Sequence, residues 1–283
     1  MQHADSETCV EVDTMNMLDL VNSRRSVRTF DGHSLSREHA EKIMEYAKDA
    51  DNPYDLPITW RILSAKKHGL SSPVIVGTDA YIAGKMRRVP HSEEAFGFSF
   101  EKIVLYAQSL GVGTTWIAGT MKRSAFEKAM GLEEDEVMPC ISPLGYPAAS
   151  MSVREGLMRK GVKADSRIGF SDLFFDGSFF KPLTEESAGE FSQVFEMIRW
   201  APSAVNKQPW RVVMNGNAFH FFEKKTRGYV NDGWDLQKID MGIALCHFAC
   251  GAEEKGMKCH LKIKDPGLSV PENTEYIATY CID

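Results

Sequence analysis

The chain lacks any run of about eighteen apolar residues, so nothing in it predicts a membrane-spanning helix. Its N-terminal stretch, MQHADSETCVEVD, lacks the basic start and apolar middle of a secretory leader. The six cysteines are scattered except for Cys246, Cys250 and Cys259; without a leader they read as reduced thiols of a cytoplasmic protein. Basic residues are in deficit, 33 against 39 acidic, and the net charge of -6 argues against a nucleic-acid partner while leaving room for a local basic pocket. No low-complexity linker divides the chain, and no nucleophile-elbow motif supports a hydrolase. The stretch from Gly111 to Trp116 lacks the third glycine of a dinucleotide fingerprint.

What is present is enough apolar material, 43% of 283 residues, for one or two packed domains. Helical periodicity predicts helices over 15–29, from Ser36 as N-cap onward, over 99–110 with Gly111 at its C-terminal end, over 184–200 and over 236–255. The 99–110 and 236–255 segments read as amphipathic, and Cys246 and Cys250 as core residues one turn apart on the latter. Strands are predicted over 58–64, 72–78, 114–118, 140–146 (interrupted by Pro143), 210–214, 218–223, 259–264 and 275–281.

Parts of this order recur. Phe30-Asp31-Gly32 returns as Phe175-Asp176-Gly177, an offset of 145. Trp60-Arg61 returns as Trp210-Arg211, an offset of 150, and Ala107–Gly111 is matched by Ala252–Gly256, again at 145. Three matches in order at a nearly constant offset point to duplication of a whole domain.

Two segments carry chemistry. Arg24-Arg25-Ser26-Val27-Arg28 gathers three guanidiniums and a hydroxyl. A guanidinium fork suits a phosphate, which it meets with two charge-assisted hydrogen bonds. The bland alternative is a solvated basic turn closing a helix. The second segment runs from Trp200 to Trp210, where Ser203, Asn206 and Gln208 offer donors and acceptors between the stiffening Pro202 and Pro209. Such a loop can read the edge of a flat heterocycle, or can be a Pro-rich helix-to-strand connection and nothing more.

Arg24–Arg28 resembles the N-terminal basic signature of the FMN-dependent nitroreductase family, and Ala201–Trp210 resembles its Pro-Ser-Asn-Gln loop. The segment 114–119 resembles the family stretch along one flavin face, and Gly145-Tyr146-Pro147 a late core strand. The resemblance implies an α+β, three-layer nitroreductase-like fold. Family members are homodimers with FMN at the subunit interface, one subunit giving the basic signature and the other the loop. Here the two signatures lie far apart in one chain. By the offset of 150, Leu56 and Ile58 stand in the first half where Asn206 and Gln208 stand in the second; by the offset of 145, Gly169, Phe170 and Leu173 replace Arg24, Arg25 and Arg28. The resemblance therefore implies two tandem, diverged copies, 1–165 and 166–283, forming an intramolecular pseudo-dimer with one flavin site, its counterpart empty, and a monomeric chain.

In that reading Arg24, Arg25 and Ser26 meet the FMN phosphate and ribityl chain, with Arg167 as a further phosphate contact. Arg28 approaches the pyrimidine end, where a cation stabilises negative charge. Pro202, Ser203, Ala204 and Asn206 lie on the ring and its arm, with Gln208 beside them. Trp116, Ile117, Ala118 and Gly119 offer backbone groups near the reactive nitrogen but no titratable side chain, so no catalytic residue is assigned. The implied activity is ping-pong transfer of reducing equivalents from NAD(P)H to a flat small-molecule acceptor such as a nitroaromatic or quinone. The competing function is a flavin-binding carrier or sensor without turnover.

Overall fold

The computed structural model describes residues 16–231 and 234–283. The N-terminal stretch read for a leader, and residue 15 of the first predicted helix, lie outside the described residues. In the first part of the chain follow α1 (Met17–Ser23), α2 (Arg37–Lys48), β1 (Thr59–Ser64), α3 (Ala65–His68), β2 (Ala80–Arg87) and α4 (Ser92–Ser109). Then come α5 (Arg123–Met130), β3 (Glu136–Val137), β4 (Ile141–Leu144) and α6 (Val153–Gly161). The later part has α7 (Phe170–Leu173), β5 (Phe174–Asp176), α8 (Glu185–Ala188), α9 (Ser192–Trp200), β6 (Trp210–Asn215) and β7 (Ala218–Lys224). It closes with β8 (Val230–Asn231), β9 (Trp234–Asp235), α10 (Leu236–Glu254), β10 (Cys259–Lys262) and β11 (Thr274–Ile282). The result is an α+β architecture. No helix among the described residues is long and apolar enough to cross a membrane.

There are two main sheets. In the first, β2 pairs antiparallel with β1 on one edge and with β3 and β4 on the other. In the second the order is β10-β11-β7-β6-β5, antiparallel except for the parallel β5–β6 pair. One core joins the first sheet to α4 through Trp60, Ile82, Phe96, Phe100 and Ile103. A second core joins the other sheet to α10 through Val212, Phe219, Phe221, Leu245 and Phe248. Each helix also enters the other's core, Phe98 of α4 into the second and Ile239 of α10 into the first.

Helices α4 and α10 cross back to back, and the crossing is reciprocal. A methyl group built on Gly97 would fall 2.1 Å from the Ile239 carbonyl oxygen and 3.1 Å from the Gly242 Cα. One built on Gly242 would fall 2.1 Å from the Glu94 carbonyl oxygen. Residues 94 and 97 correspond to 239 and 242 at the offset of 145 already seen in the sequence. Only glycine lets the two backbones approach so closely. Each helix is thus covered on one side by a sheet and on the other by its partner helix, and both are buried nearly all round. The expectation of amphipathic helices is corrected accordingly: a helix enclosed on all sides has no solvent face to make polar.

Several local expectations are confirmed. Ser36 caps α2 by accepting from His39 N, and Gly111 follows α4 with φ +72°. Cys246 lies in the second core, its Sγ 3.9 Å from that of the half-buried Cys250. Others are corrected. The first helix ends at Ser23, because Arg24–Phe30 run extended, bridging Ser26 to Thr114 and Thr29 to Val76. Helix α4 begins at Ser92, a full two turns before the predicted start. The predicted 184–200 helix is two helices joined by a 3-10 turn. Segment 72–78 makes only the bridge at Val76, and the real strand is the unpredicted Ala80–Arg87. That strand carries a glycine where Trp60 lies across it; a methyl on Gly84 would sit 2.2 Å from the Trp60 ring. Segment 114–118 holds bridges but no continuous ladder: Thr115 N donates to the Ser142 hydroxyl beside Pro143, which brings no donor of its own.

Replacing Gly97 or Gly242 with alanine forces the helices apart and should cost roughly 2–3 kcal/mol in urea unfolding. The double variant should cost clearly less than the sum, because one methyl already separates the contact the other would strain.

Candidate functional site

One large cavity, about 640 Å³, opens where α1, the extended Arg24–Arg28 stretch, residues 116–120, α6 with its following connection, the loop after α9 and the first turns of α10 converge. Its size falls in the range of small-molecule and cofactor sites. The structure brings thirteen of the fourteen residues named from sequence to its wall: Arg24, Arg25, Ser26, Arg28, Trp116, Ile117, Ala118, Gly119, Arg167, Pro202, Ser203, Ala204 and Asn206. The exception is Gln208, which is buried behind the loop. Its Oε1 accepts from Ile168 N at 3.0 Å and its Nε2 donates to Asn206 Oδ1 at 3.2 Å. Gln208 is therefore a brace for the loop and is withdrawn as a ligand contact.

The basic wall is built on buried backbone. Val27 enters the core, its N–H donating to Thr114 O at 2.8 Å, and this fixes the arginines on either side. Glu155, buried in the first turn of α6, accepts from Arg28 N at 3.3 Å and pairs with Arg25 at 3.5 Å. Arg24 is almost fully enclosed, with Nε 4.0 Å from the buried Glu101. Glu101 also accepts from Trp116 Nε1 at 2.9 Å and lies 3.0 Å from His247 Nε2, so α4 and α10 both hold this corner.

The guanidiniums are only partly satisfied by the protein; Arg167 donates through Nη1 and Nη2 to the carbonyls of Ala164, Ser166 and Trp200. Arg24 Nε and Nη1, Arg28 Nε and Arg167 Nε are buried without a hydrogen-bond partner. Burial holds the pKa values of Arg24 and Arg28 below the ordinary arginine value, and that of Arg167 is pulled down to about 10 by burial and by the charges of Arg24 and Arg199. Arg159, on α6, also lines the cavity, is paired with Asp165, and adds its repulsion to Arg24, Arg28 and Arg167. Sequence reading missed Arg159 because a basic residue in a helix without a motif reads as solvated. A crowd of like charges with idle buried donors is a site for an anion.

The opposite wall is rigid in an unusual way. Val205, Asn206 and Gln208 all have positive φ, near 50–57°, costly for side chains other than glycine. The strained loop is tied down by its own polar groups. Ser203 Oγ accepts from Gln208 N at 2.9 Å. Asn206 Nδ2 donates to the carbonyls of Lys163 and Ser166 at 2.8 and 3.0 Å. The Asn206 carboxamide, expected to read a ring edge, is thus spent on fastening the loop to the connection after α6. Arg167, in that connection, stacks its guanidinium 4.5 Å from the centre of the Trp200 ring, and Trp200 too lines the cavity without having been foreseen. At Gly119 a methyl group would meet nothing within 4 Å, which leaves that stretch of wall open to a ligand.

The floor is Leu236, Ile239, Asp240 and Ile243 of α10, with Cys140 beside them. At the positions matched by offset elsewhere in the chain, the surroundings are apolar. Phe170 and Leu173 are buried in the second core, and Leu56 and Ile58 line a separate small pocket of about 130 Å³ with Met86 and Ala95.

The residues present fit FMN: orphaned guanidinium donors for a phosphate at one end, and an apolar floor with the Pro202–Ala204 wall for a flat ring. A "putative nitroreductase" from Thermotoga maritima, 21% identical, aligns over 99% of this chain and 98% of its own with a TM-score of 0.61. A nitroreductase family protein from Clostridium difficile 630 is 16% identical over 56% of this chain and 96% of its own, TM-score 0.45. An FMN-dependent nitroreductase from Clostridium difficile R20291 is 17% identical over 48% and 90%, TM-score 0.41. A search of curated proteins finds no match. The model of the family described as "Putative TM nitroreductase" matches residues 16–252, from the start of α1 almost to the end of α10, and the chain belongs to that nitroreductase family.

Proposed function

We propose that the cavity binds one FMN and that the protein uses NAD(P)H to reduce a flat acceptor such as a nitroaromatic or quinone. The observation that carries the proposal is the meeting of buried, unpartnered Arg24, Arg28 and Arg167 donors with the Pro202–Asn206 loop across one cavity. Membership of an oxidoreductase family supports the redox assignment. Bound FMN would supply hydride exchange between the nicotinamide and the acceptor, which use the same space in turn.

The chain's own residues bind and orient. Arg24, Arg25, Ser26, Arg159 and Arg167 hold the phosphate end, and Arg28 supports negative charge toward the ring. Trp116, Ile117, Ala118 and Gly119 face the ring from one side, while Pro202, Ser203 and Ala204 face it from the other. The arrangement is that of a fused pair of nitroreductase-like units, 1–165 and 166–283, that supplies both walls from a single monomeric chain.

Purified protein should carry one flavin per chain, and anaerobic addition of NADH or NADPH should bleach its absorbance until an acceptor is added. Two tightly held flavins would overturn the single-site reading, and a yellow protein inert to both nucleotides would make it a carrier or sensor. Arg24→Met should weaken FMN binding roughly tenfold to a hundredfold, the worth of a charge-assisted hydrogen bond. Equal FMN titrations for wild type and variant would contradict the phosphate assignment. Asn206→Ala should weaken FMN binding and lower stability by about 1 kcal/mol, since it frees the loop from the 163–166 carbonyls.

A further inference from the structure

Asp240 is the one carboxyl on the cavity floor. It is 3% exposed and stands among Leu236, Ile239, Ile243 and Cys140. Both its oxygens lie 3.0 Å from Ala204 N, and that N–H is the donor the structure gives it. Among the described residues no cation is paired with it. The charged groups felt there are Asp235, before α10, and Glu223, on β7, both acidic. The thiol of Cys140 and the phenol of Tyr229 complete the titratable neighbours. On α4, Glu94 turns to His91 at 3.6 Å. Arg123, near Cys140, spends its donors on the carbonyls of Ala118, Met138 and Pro139. Burial and the two acids push the Asp240 pKa well above the ordinary carboxylate range.

Burial favours the protonated form of a carboxyl in such a place, and an O–H inside a protein seeks an acceptor. The hydrogen bonds that Asp240 makes among the described residues come from Ala204 N, and its remaining side lines the cavity. The offset of 145 sharpens the point, because the matching position on α4 is Ala95, which lines the small apolar pocket. The acid occurs only on the helix that floors the large cavity.

From this placement we infer that the Asp240 carboxyl donates a hydrogen bond to a carbonyl oxygen or ring nitrogen of the heterocycle held in the cavity, a contact that rests on the FMN reading above. It is a ligand-recognition role for a residue with no motif around it. It selects ligands that present an acceptor toward the floor, and it weakens when the proton leaves.

The test is FMN titration by flavin fluorescence from about pH 5 to about pH 9, with wild type, Asp240→Asn and Asp240→Leu. Asparagine keeps both the oxygen that accepts from Ala204 N and a donor toward the cavity. At the acid end it should bind within about twofold of wild type, while leucine should bind about five- to tenfold more weakly. The ratio of wild-type to Asp240→Asn dissociation constants should rise with pH, and taking the ratio cancels the titration of the FMN phosphate itself. Melting of the flavin-free proteins gives a readout without ligand. A folded-state pKa raised above the unfolded value makes wild type lose stability as pH climbs from the unfolded value toward the folded one, so Asp240→Asn should gain on it over that interval. Wild type that binds FMN as tightly as Asp240→Leu at every pH overturns the inference alone. Wild type that binds no FMN at any pH overturns the functional reading and this inference together.

Discussion

Everything about this molecule depends on two helix backbones meeting at Gly97 and Gly242. The contact leaves no room for even a methyl group on either side, so the separation and crossing of α4 and α10 are set by main-chain atoms and not by adjustable side chains. Each helix carries its own sheet on the far side. Fixing the crossing therefore fixes one sheet against the other, and with them the distance between the Arg24–Arg28 stretch and the loop after α9. The buried Glu101, reaching Trp116, His247 and Arg24, fastens the cavity to the same crossing one turn away.

Charge is arranged against the folded state and in favour of a ligand. Enclosed guanidiniums crowd one end of the cavity with donors idle, and an uncompensated carboxyl lies on the floor. Neither feature stabilises the chain by itself; a buried group without its partner carries the desolvation cost uncompensated. The strained backbone of residues 205–208 belongs with them. Such costs are tolerated where the surrounding structure over-determines the geometry, as the glycine crossing and the Gln208 and Asn206 braces do here.

The sequence displayed the site better than it displayed the scaffold. Arg24–Arg28 and Pro202–Asn206 were legible because arginine forks and a proline-stiffened polar loop have specific chemistry, and the structure brings them to one cavity. The same reading assigned Gln208 and the Asn206 carboxamide to a ligand, whereas their partners are main-chain groups at 163–168 that only tertiary structure brings near. Strand β2 escaped notice partly because Gly84, at its middle, answers to the Trp60 ring lying across it and not to strand propensity. Arg159, Trp200 and Asp240 stand in unremarkable helices, and nothing local marks a helical residue as facing a cavity. The 145 offset was visible in short matches, but its meaning in space, the reciprocal contact of 94 and 97 with 239 and 242, was not.

The connection after α6 is itself part of the cavity wall, through Val162, Ala164, Asp165 and Arg167, and it is clasped by Asn206. Both faces of the pocket are consequently tethered on one polypeptide at a fixed, very high effective concentration. A pocket assembled from separate subunits falls apart when the protein becomes scarce; this one keeps its shape at any dilution at which the chain stays folded.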